Sequence, residues 1–291
     1  MDHINYINVA GLVFALQTEN EIQITHNFKE FIKSDGSLIA DCKSNIKKTD
    51  GEFTVSREQL IARDYDNDVF REKDEGYVRL YRELNCEKYY AISRQVIKGK
   101  ESFIKYLPKY EDTFCDMNQC FHMIGWEQMM AWHERLILHA ACIKTEYGGI
   151  LFSGVSGAGK STQADLWIKE RNARLINGDR TILFKADIWE AYGSPFAGSS
   201  NCHLNEKIPI RVIIMLKQGE NNTLKRLNVK EAFYQLYPMS TVYTWDKEFV
   251  NRIINILSSL VQEIPVYQMI CTPDERAVEI LEAELRKAVR D

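Results

Sequence analysis

Up to Cys115, the chain consists of short runs of apolar residues, or of alternating apolar and polar residues, separated by clusters of polar turn residues. The runs are Val9–Leu16, Ser37–Cys42, Glu52–Val55, Tyr77–Leu84, Lys88–Ile92 and Ser102–Leu107. Strands and turns spaced in this way favour a mostly antiparallel sheet or a small sandwich. No pattern in this half of the sequence points to a catalytic site.

The hydrophobic period changes at Asp116, from which one linking helix is predicted because Met123, Trp126 and Met130 share a helical face. Beyond it, strands are predicted at Leu136–Ile143, Gly149–Ser153, Arg174–Ile176, Arg180–Phe184, Trp189–Tyr192, Ile208–Leu216 and Ile264–Ile270, and helices at Lys160–Lys169, Val229–Leu236, Lys247–Leu260 and from Pro273 onward. This alternation predicts an α/β domain over residues 136–291. A smaller β-rich domain over residues 1–135, ending in the linking helix, precedes it.

Composition narrows the expected partners. A net charge of −4 over 291 residues gives no long-range attraction to nucleic acid or to an anionic membrane. The N-terminus lacks the pattern of a signal peptide, and no apolar run reaches the roughly 18 residues of a membrane span. The seven scattered cysteines indicate reduced thiols. A cytoplasmic protein without nucleic-acid or membrane partners is expected, and its oligomeric state stays open, a homo-oligomer included.

The strongest motif is the run Gly154-Val155-Ser156-Gly157-Ala158-Gly159-Lys160-Ser161, which fits the P-loop pattern G-x-x-x-x-G-K-[ST]. Glycines let consecutive N–H groups turn toward phosphate oxygens, and the following helix aims its positive end at the same anion. Lys160 is placed to reach the β- and γ-phosphates, and Ser161 to ligate Mg²⁺. The sequence therefore predicts a MgATP site made of Gly154, Ser156, Gly157, Ala158, Gly159, Lys160, Ser161 and Thr162.

A P-loop enzyme also needs a carboxylate on a neighbouring strand to hold Mg²⁺ or to activate the nucleophile. Asp179 is the best candidate, because it follows a predicted strand and the tight bend at Gly178. Asn-Gly is also a common turn pair, so an ordinary hairpin turn remains the alternative. His139, in the strand before the P-loop strand, is either a strand residue or a catalytic group near the phosphates.

The stretch from Leu136 to about Leu227 resembles the C-terminal domain of the HPr kinase/phosphorylase family, whose fold is related to that of phosphoenolpyruvate carboxykinases. Four ordered blocks carry the resemblance, namely Leu138–Ala141, Ser153–Thr162, Arg174–Arg180 and Tyr192–Gly198. The resemblance implies an α/β P-loop kinase core of the HPr kinase/PEP carboxykinase-like type. It also implies transfer of the γ-phosphoryl group of ATP to a serine-like hydroxyl on a peptide, a protein or a small molecule.

The resemblance also implies an acidic pair, Asp-Asp, as metal ligand and catalytic base. In this sequence Gly178 stands at the first position of the pair and Asp179 at the second. Asp179 then acts either as both base and Mg²⁺ ligand or together with a group such as His139. The missing carboxylate motivates an alternative, a nucleotide-binding regulator or sensor that does not transfer phosphate.

Overall fold

The computed structural model describes residues 2–33, 38–53, 59–72, 76–83 and 88–290. The chain divides into two compact units, Met1–His133 and Glu134–Asp291. Three of the predicted strand runs, Ser37–Cys42, Glu52–Val55 and Tyr77–Leu84, lie partly outside the described residues.

The first unit contains a nine-stranded sheet, counted over the described residues, in the order β3-β1-β2-β4-β9-β8-β7-β6-β5. Its strands are β1 (His3–Val9), β2 (Leu12–Thr18), β3 (Ile32–Lys33), β4 (Cys42–Lys48), β5 (Leu60–Arg63), β6 (Asn67–Arg71), β7 (Tyr77–Arg82), β8 (Tyr89–Ile97) and β9 (Glu101–Tyr106). The pairs β2–β4 and β4–β9 are parallel. The single run predicted over Val9–Leu16 instead spans the last residue of β1, a turn and most of β2, because Ala10 and Gly11 turn the chain at positive φ between the two strands.

The predicted linking helix is two short helices rather than one. The α-helices of the first unit are α1 (Glu111–Phe114), α2 (Met117–Met123) and α3 (Trp126–Trp132). Asp116 caps α2 as expected, accepting a hydrogen bond from the Gln119 amide at 3.1 Å. Gly125 separates α2 from α3 at φ 74°, a conformation that glycine adopts without steric cost.

The elements of the second unit lie close to their predicted positions. Its strands are β10 (Arg135–Thr145), β11 (Gly148–Ser153), β12 (Arg174–Asn177), β13 (Arg180–Lys185), β14 (Trp189–Tyr192), β15 (Lys207–Gln218), β16 (Thr223–Arg226) and β17 (Val266–Cys271). Its helices are α4 (Lys160–Arg171), α5 (Val229–Leu236), α6 (Lys247–Glu263) and α7 (Glu275–Arg290). The short strand β16 is the element that the sequence patterns did not predict.

The predicted fold class, an α/β P-loop kinase core, is wrong. The chain is mostly β-sheet, with 40% strand and 30% helix, and its strands form two large mixed sheets. In the second unit β10 pairs antiparallel with β11, β12 and β13. Among the described strands of this unit, only β11–β15 and β15–β17 are parallel pairs. Strand and helix alternate along the sequence, but periodicity identifies the type of an element and not its pairing partner.

The core of the second unit holds the glycine-rich loop in place. Phe152 on β11, Trp167 on α4 and Ile214 on β15 are buried in one apolar cluster, which also includes Leu281 on α7. α4 therefore packs close to the strand that leads into it.

No helix in the described ranges combines the length and apolarity needed to cross a bilayer. No disulfide joins the cysteines within those ranges.

Candidate functional site

The loop between β11 and α4 turns through three glycines in the left-handed region, Gly154 (φ 150°), Gly157 (φ 78°) and Gly159 (φ 101°). A Cβ at Gly154 would lie 3.0 Å from the Leu216 carbonyl oxygen, so the loop passes tightly over β15. At Gly157 and Gly159 no described atom lies within 4 Å of such a Cβ. The loop thus needs glycine for its backbone conformation and leaves open space beside two of its glycines.

Side chains on both sides of the loop fix its backbone. Gln218, the last residue of β15, donates from Nε2 to the Gly157 carbonyl at 2.7 Å. Lys160 donates from Nζ to the carbonyl oxygens of Gly154 at 3.2 Å and Val155 at 3.5 Å. The ammonium group of Lys160 therefore lies over the loop, where it could exchange these carbonyls for phosphate oxygens.

The N-terminus of α4 opens onto the loop without a side-chain cap from any described residue, because its N-cap is Gly159. The first N–H groups of a helix lack partners within the helix, and with the helix dipole they form an anion site. Ser156, Ser161 and Thr162 are exposed there. Ala158 is buried and belongs to the apolar core cluster beneath the loop.

The turn between β12 and β13 places Asp179 beside His139. His139 Nε2 and Asp179 Oδ1 are 2.9 Å apart, and both side chains are partly exposed. Strand pairing explains the meeting, since His139 on β10 lies opposite Arg180 on β13. The Ala140 amide donates to the Asp179 carbonyl at 2.8 Å, and Ser153 Oγ donates to the His139 carbonyl at 2.8 Å. Two strand pairings thus bring the aspartate, the histidine and the end of β11 together.

Electrostatics link this pair to the loop lysine. Burial and the nearby charge of Lys160 lower the pKa of His139, although Asp179 acts in the opposite direction. Burial likewise lowers the pKa of Lys160, again against the effect of Asp179. His139 is therefore held toward its neutral form, and the positive charge of Lys160 acts on the carboxylate of Asp179.

The structure leaves no space for a second carboxylate at position 178. A Cβ on Gly178 would lie 2.3 Å from Ser200 Oγ and 3.0 Å from the Ala197 carbonyl oxygen. Gly198, at φ 56°, approaches so closely that a Cβ on it would lie 2.9 Å from the Asp179 Cβ. The segment 197–200 therefore packs against the aspartate turn and fills the place where a side chain at position 178 would go.

Three of the predicted catalytic groups, His139, Lys160 and Asp179, come together in the structure. Neither a hydrogen bond nor an ion pair between described residues joins Ser161 to Asp179. The described chain also contains no group of three or more His, Cys, Asp or Glu side chains able to hold a metal ion. A Mg²⁺ ion bound through Ser161 and Asp179 would thus need phosphate and water oxygens to complete the octahedral set it prefers.

Sequence reasoning gave no individual role to three residues that shape the site, Asn177, Ser194 and Gln218, although the first two lie within the blocks Arg174–Arg180 and Tyr192–Gly198. The sequence indicates only an Asn-Gly turn pair at Asn177, yet the buried side chain of this residue binds the Asp179 backbone. Ser194 is fully buried beneath the same turn. Gln218 belongs to no motif, and the parallel pairing of β15 with β11 is what brings it to the loop.

Comparisons with known proteins add no family to this picture, since neither a protein-family model nor a curated protein matches the chain. The similarity to HPr kinases therefore stays a prediction from the sequence blocks. The chemistry that follows rests on the loop, the lysine and the histidine–aspartate pair.

Proposed function

We propose that the protein binds MgATP at the Gly154–Thr162 loop and transfers the γ-phosphoryl group to a hydroxyl acceptor. The carrying observation is the open glycine loop whose lysine, Lys160, acts electrostatically on the adjacent His139–Asp179 pair. Backbone N–H groups and a cation on one side, with a carboxylate on the other, match the needs of phosphoryl transfer. The acceptor is a peptide, a protein or a small molecule carrying a serine-like hydroxyl.

Each group has a distinct role in this proposal. Lys160 leaves the carbonyls of Gly154 and Val155 to bind the β- and γ-phosphates, and Ser161 ligates the Mg²⁺ that neutralises them. Asp179 ligates the same ion or accepts the proton of the acceptor hydroxyl. His139, held toward its neutral form, keeps the Asp179 carboxylate in place through the 2.9 Å contact.

A single carboxylate is sufficient for this reaction because the base has a modest task. In a loose transition state the hydroxyl proton leaves late, so positioning and charge neutralisation supply most of the rate. The crowding at Gly178 nevertheless favours one alternative, a nucleotide-binding regulator that does not transfer phosphate. In that case the site would bind MgATP with no acceptor chemistry.

The test is incubation of the protein with γ-labelled ATP, Mg²⁺ and a panel of serine peptides and small hydroxyl compounds. We expect label on an acceptor, and about 10²-fold slower transfer by Asp179→Asn, the low end of the range that a positioned general base contributes. Asp187→Asn is the matched control, because Asp187 is an exposed aspartate in the β13–β14 turn.

Three outcomes separate the candidate functions. Transfer by Asp179→Asn at the wild-type rate would show that the role of Asp179 is wrong. Tight MgATP binding without transfer to any acceptor would favour the regulator. Failure of the wild-type protein to bind MgATP at all, measured by calorimetry, would contradict both.

A further inference from the structure

Asn177 is a polar side chain with no exposed surface, at the end of β12 and two residues before Asp179. Buried polar groups are costly unless every hydrogen bond is made. Ser194, in the loop after β14, is equally buried. Two fully buried polar side chains directly beneath a partly exposed aspartate turn need a reason beyond packing.

The Asn177 amide bridges two loops. Its Oδ1 accepts a hydrogen bond from the Asp179 amide at 2.9 Å. Its Nδ2 faces the carbonyl oxygens of Ser194 at 3.2 Å and Phe196 at 3.3 Å, to which it donates. A carboxamide suits this place because it carries an acceptor oxygen and an NH₂ group with two donors on separate atoms of one short side chain.

Ser194 extends this bridge to the far side of the turn. Its Oγ donates to the Arg180 carbonyl at 2.7 Å and accepts from the Phe196 amide at 3.2 Å. The residues before and after the Gly178–Asp179 step are thus both attached to the 194–196 loop.

The backbone of Asp179 is consequently fixed at both of its polar groups. Asn177 holds its N–H, and the Ala140 amide, next to His139 in sequence, holds its carbonyl at 2.8 Å. Gly198 closes a third side, since a Cβ there would lie 2.9 Å from the Asp179 Cβ. With its backbone fixed, the carboxylate has little freedom beyond its own side-chain torsions.

We propose that Asn177 is a positioning residue for Asp179: its amide sets the place of the carboxylate relative to His139 and the glycine loop. The effect of Asn177 on the reaction rate rests on the proposed phosphoryl transfer. Its effect on the position of Asp179 beside His139 rests on geometry alone. The hydrogen bonds of the Asn177 side chain go to Asp179, Ser194 and Phe196, outside the glycine loop. Its loss should therefore leave the glycine loop itself intact and act through the position of the Asp179 carboxylate.

The test compares Asn177→Ala with Ser240→Ala in the full chain. Ser240 is also buried and donates from Oγ to the Leu236 carbonyl at 3.0 Å, so its variant loses a buried side-chain hydrogen bond that does not involve Asp179. We expect Asn177→Ala to lower kcat by about 10–100-fold, the scale of a misplacement near 1 Å, with a smaller change in the KM for ATP. Ser240→Ala should keep both constants.

A second readout needs no turnover, namely hydrogen exchange of the Asp179 backbone amide in the folded proteins. Asn177 Oδ1 accepts a hydrogen bond from that amide at 2.9 Å. The amide should therefore be protected in wild type and in Ser240→Ala and should lose its protection in Asn177→Ala. If the wild-type protein transfers no phosphate, the proposed function fails while this exchange measurement still decides the role of Asn177.

Two results would overturn the inference. One is an Asn177→Ala protein that is folded and has wild-type kcat and wild-type protection of the Asp179 amide. The other result comes from the wild-type protein, so it decides the question even where Asn177→Ala does not fold. Hydrogen exchange should show a protected Asp179 amide, and exchange as fast as in an open loop would show that Asn177 does not hold it.

Discussion

Two histidine–aspartate pairs, one in each unit, have almost the same geometry and opposite electrostatics. His122 Nε2 lies 3.2 Å from Asp66 Oδ2, and the two side chains are 46% and 33% exposed. His139 Nε2 lies 2.9 Å from Asp179 Oδ1, with exposed fractions of 40% and 33%. Yet the pKa of His122 is raised from its ordinary value and that of His139 is lowered.

The neighbours of each pair explain the difference. The hydrogen bond to Asp66 dominates at His122, and Glu127 adds to it. Burial dominates at His139, and the cations Lys160 and Arg180 add to it. A histidine–aspartate contact is therefore not in itself evidence of a catalytic site. The positive surroundings of His139 are what distinguish its pair, and they support the proposal of an anion-binding site there.

Removing Lys160 should have the largest effect on the difference between the two histidine–aspartate pairs. Lys160→Met should slow phosphoryl transfer by about 10²–10³-fold, as the loss of one preorganised donor to a developing charge does. The same change should raise the pKa of His139 and leave that of His122 unchanged. Transfer assays and histidine NMR titrations measure the two effects.

Lys185→Met is the control for that variant. Lys185 forms a surface ion pair with Glu263 at 2.7 Å and lies on β13 outside the loop. It should keep the wild-type rate and both histidine titrations. Equal losses in the two lysine variants would contradict a specific role for Lys160.

A side chain at position 178 should have a moderate effect on stability and on the contact between Asp179 and His139. Gly178→Ala places a Cβ 2.3 Å from Ser200 Oγ, so we expect a loss of about 1–3 kcal/mol in the free energy of unfolding, the range for overpacking. Displacement of the turn should also move Asp179 away from His139 and lower the pKa of His139. Urea denaturation and NMR measure these quantities.

Gly76→Ala is the matched control in the other unit. The nearest atom to its Cβ would be Glu72 Oε2 at 3.9 Å, an ordinary contact. Its stability should change by less than about 0.5 kcal/mol. A Gly178→Ala protein as stable as Gly76→Ala would mean that the 197–200 segment moves aside without cost.

The smallest effect is on the pH dependence of stability, and the two pairs should show it with opposite sign. The folded pKa of His139 lies below 6.5, so the unfolded chain binds the proton more readily and stability falls as the pH drops through the window below 6.5. The folded pKa of His122 lies above 6.5, so its stabilisation is present below 6.5 and is lost as the pH rises through that higher pKa.

Histidine-selective NMR and denaturation at several pH values test this contrast. Asp66→Asn should lower the pKa of His122 and remove its contribution to stability. Asp179→Asn should lower the pKa of His139 further and widen the window in which acid destabilises the fold. A wild-type protein in which His139 titrates above His122 would show that Lys160 and burial do not govern the site.

The sequence predicted the elements of the second unit far better than their arrangement. α5 begins and ends where predicted, at Val229 and Leu236, because an apolar face and the Asn228–Glu231 capping box are local signals. The fold class was wrong, because β10 is a long strand of 11 residues that pairs with three others. No local sequence pattern indicates how many other strands a given strand will pair with.

Within the site, the glycine loop was predictable and its surroundings were not. Gly154, Gly157 and Gly159 take backbone conformations that follow from residue type and spacing, so the motif alone locates the turn. The meeting of His139 with Asp179 depends on the register of β10 against β13. Asn177 carries only a turn signal in the sequence, since its buried partner Ser194 lies 17 residues away.

The proposed anion site could be located from the sequence alone, because glycine conformations, the helix start at Lys160 and the charge of that lysine are properties of one continuous segment. The folded chain was needed to show which carboxylate lies near that segment, what fixes the carboxylate and why a side chain at position 178 would be crowded. Those answers depend on strands and loops that are distant in sequence, and their contacts exist only once the sheet has formed its register.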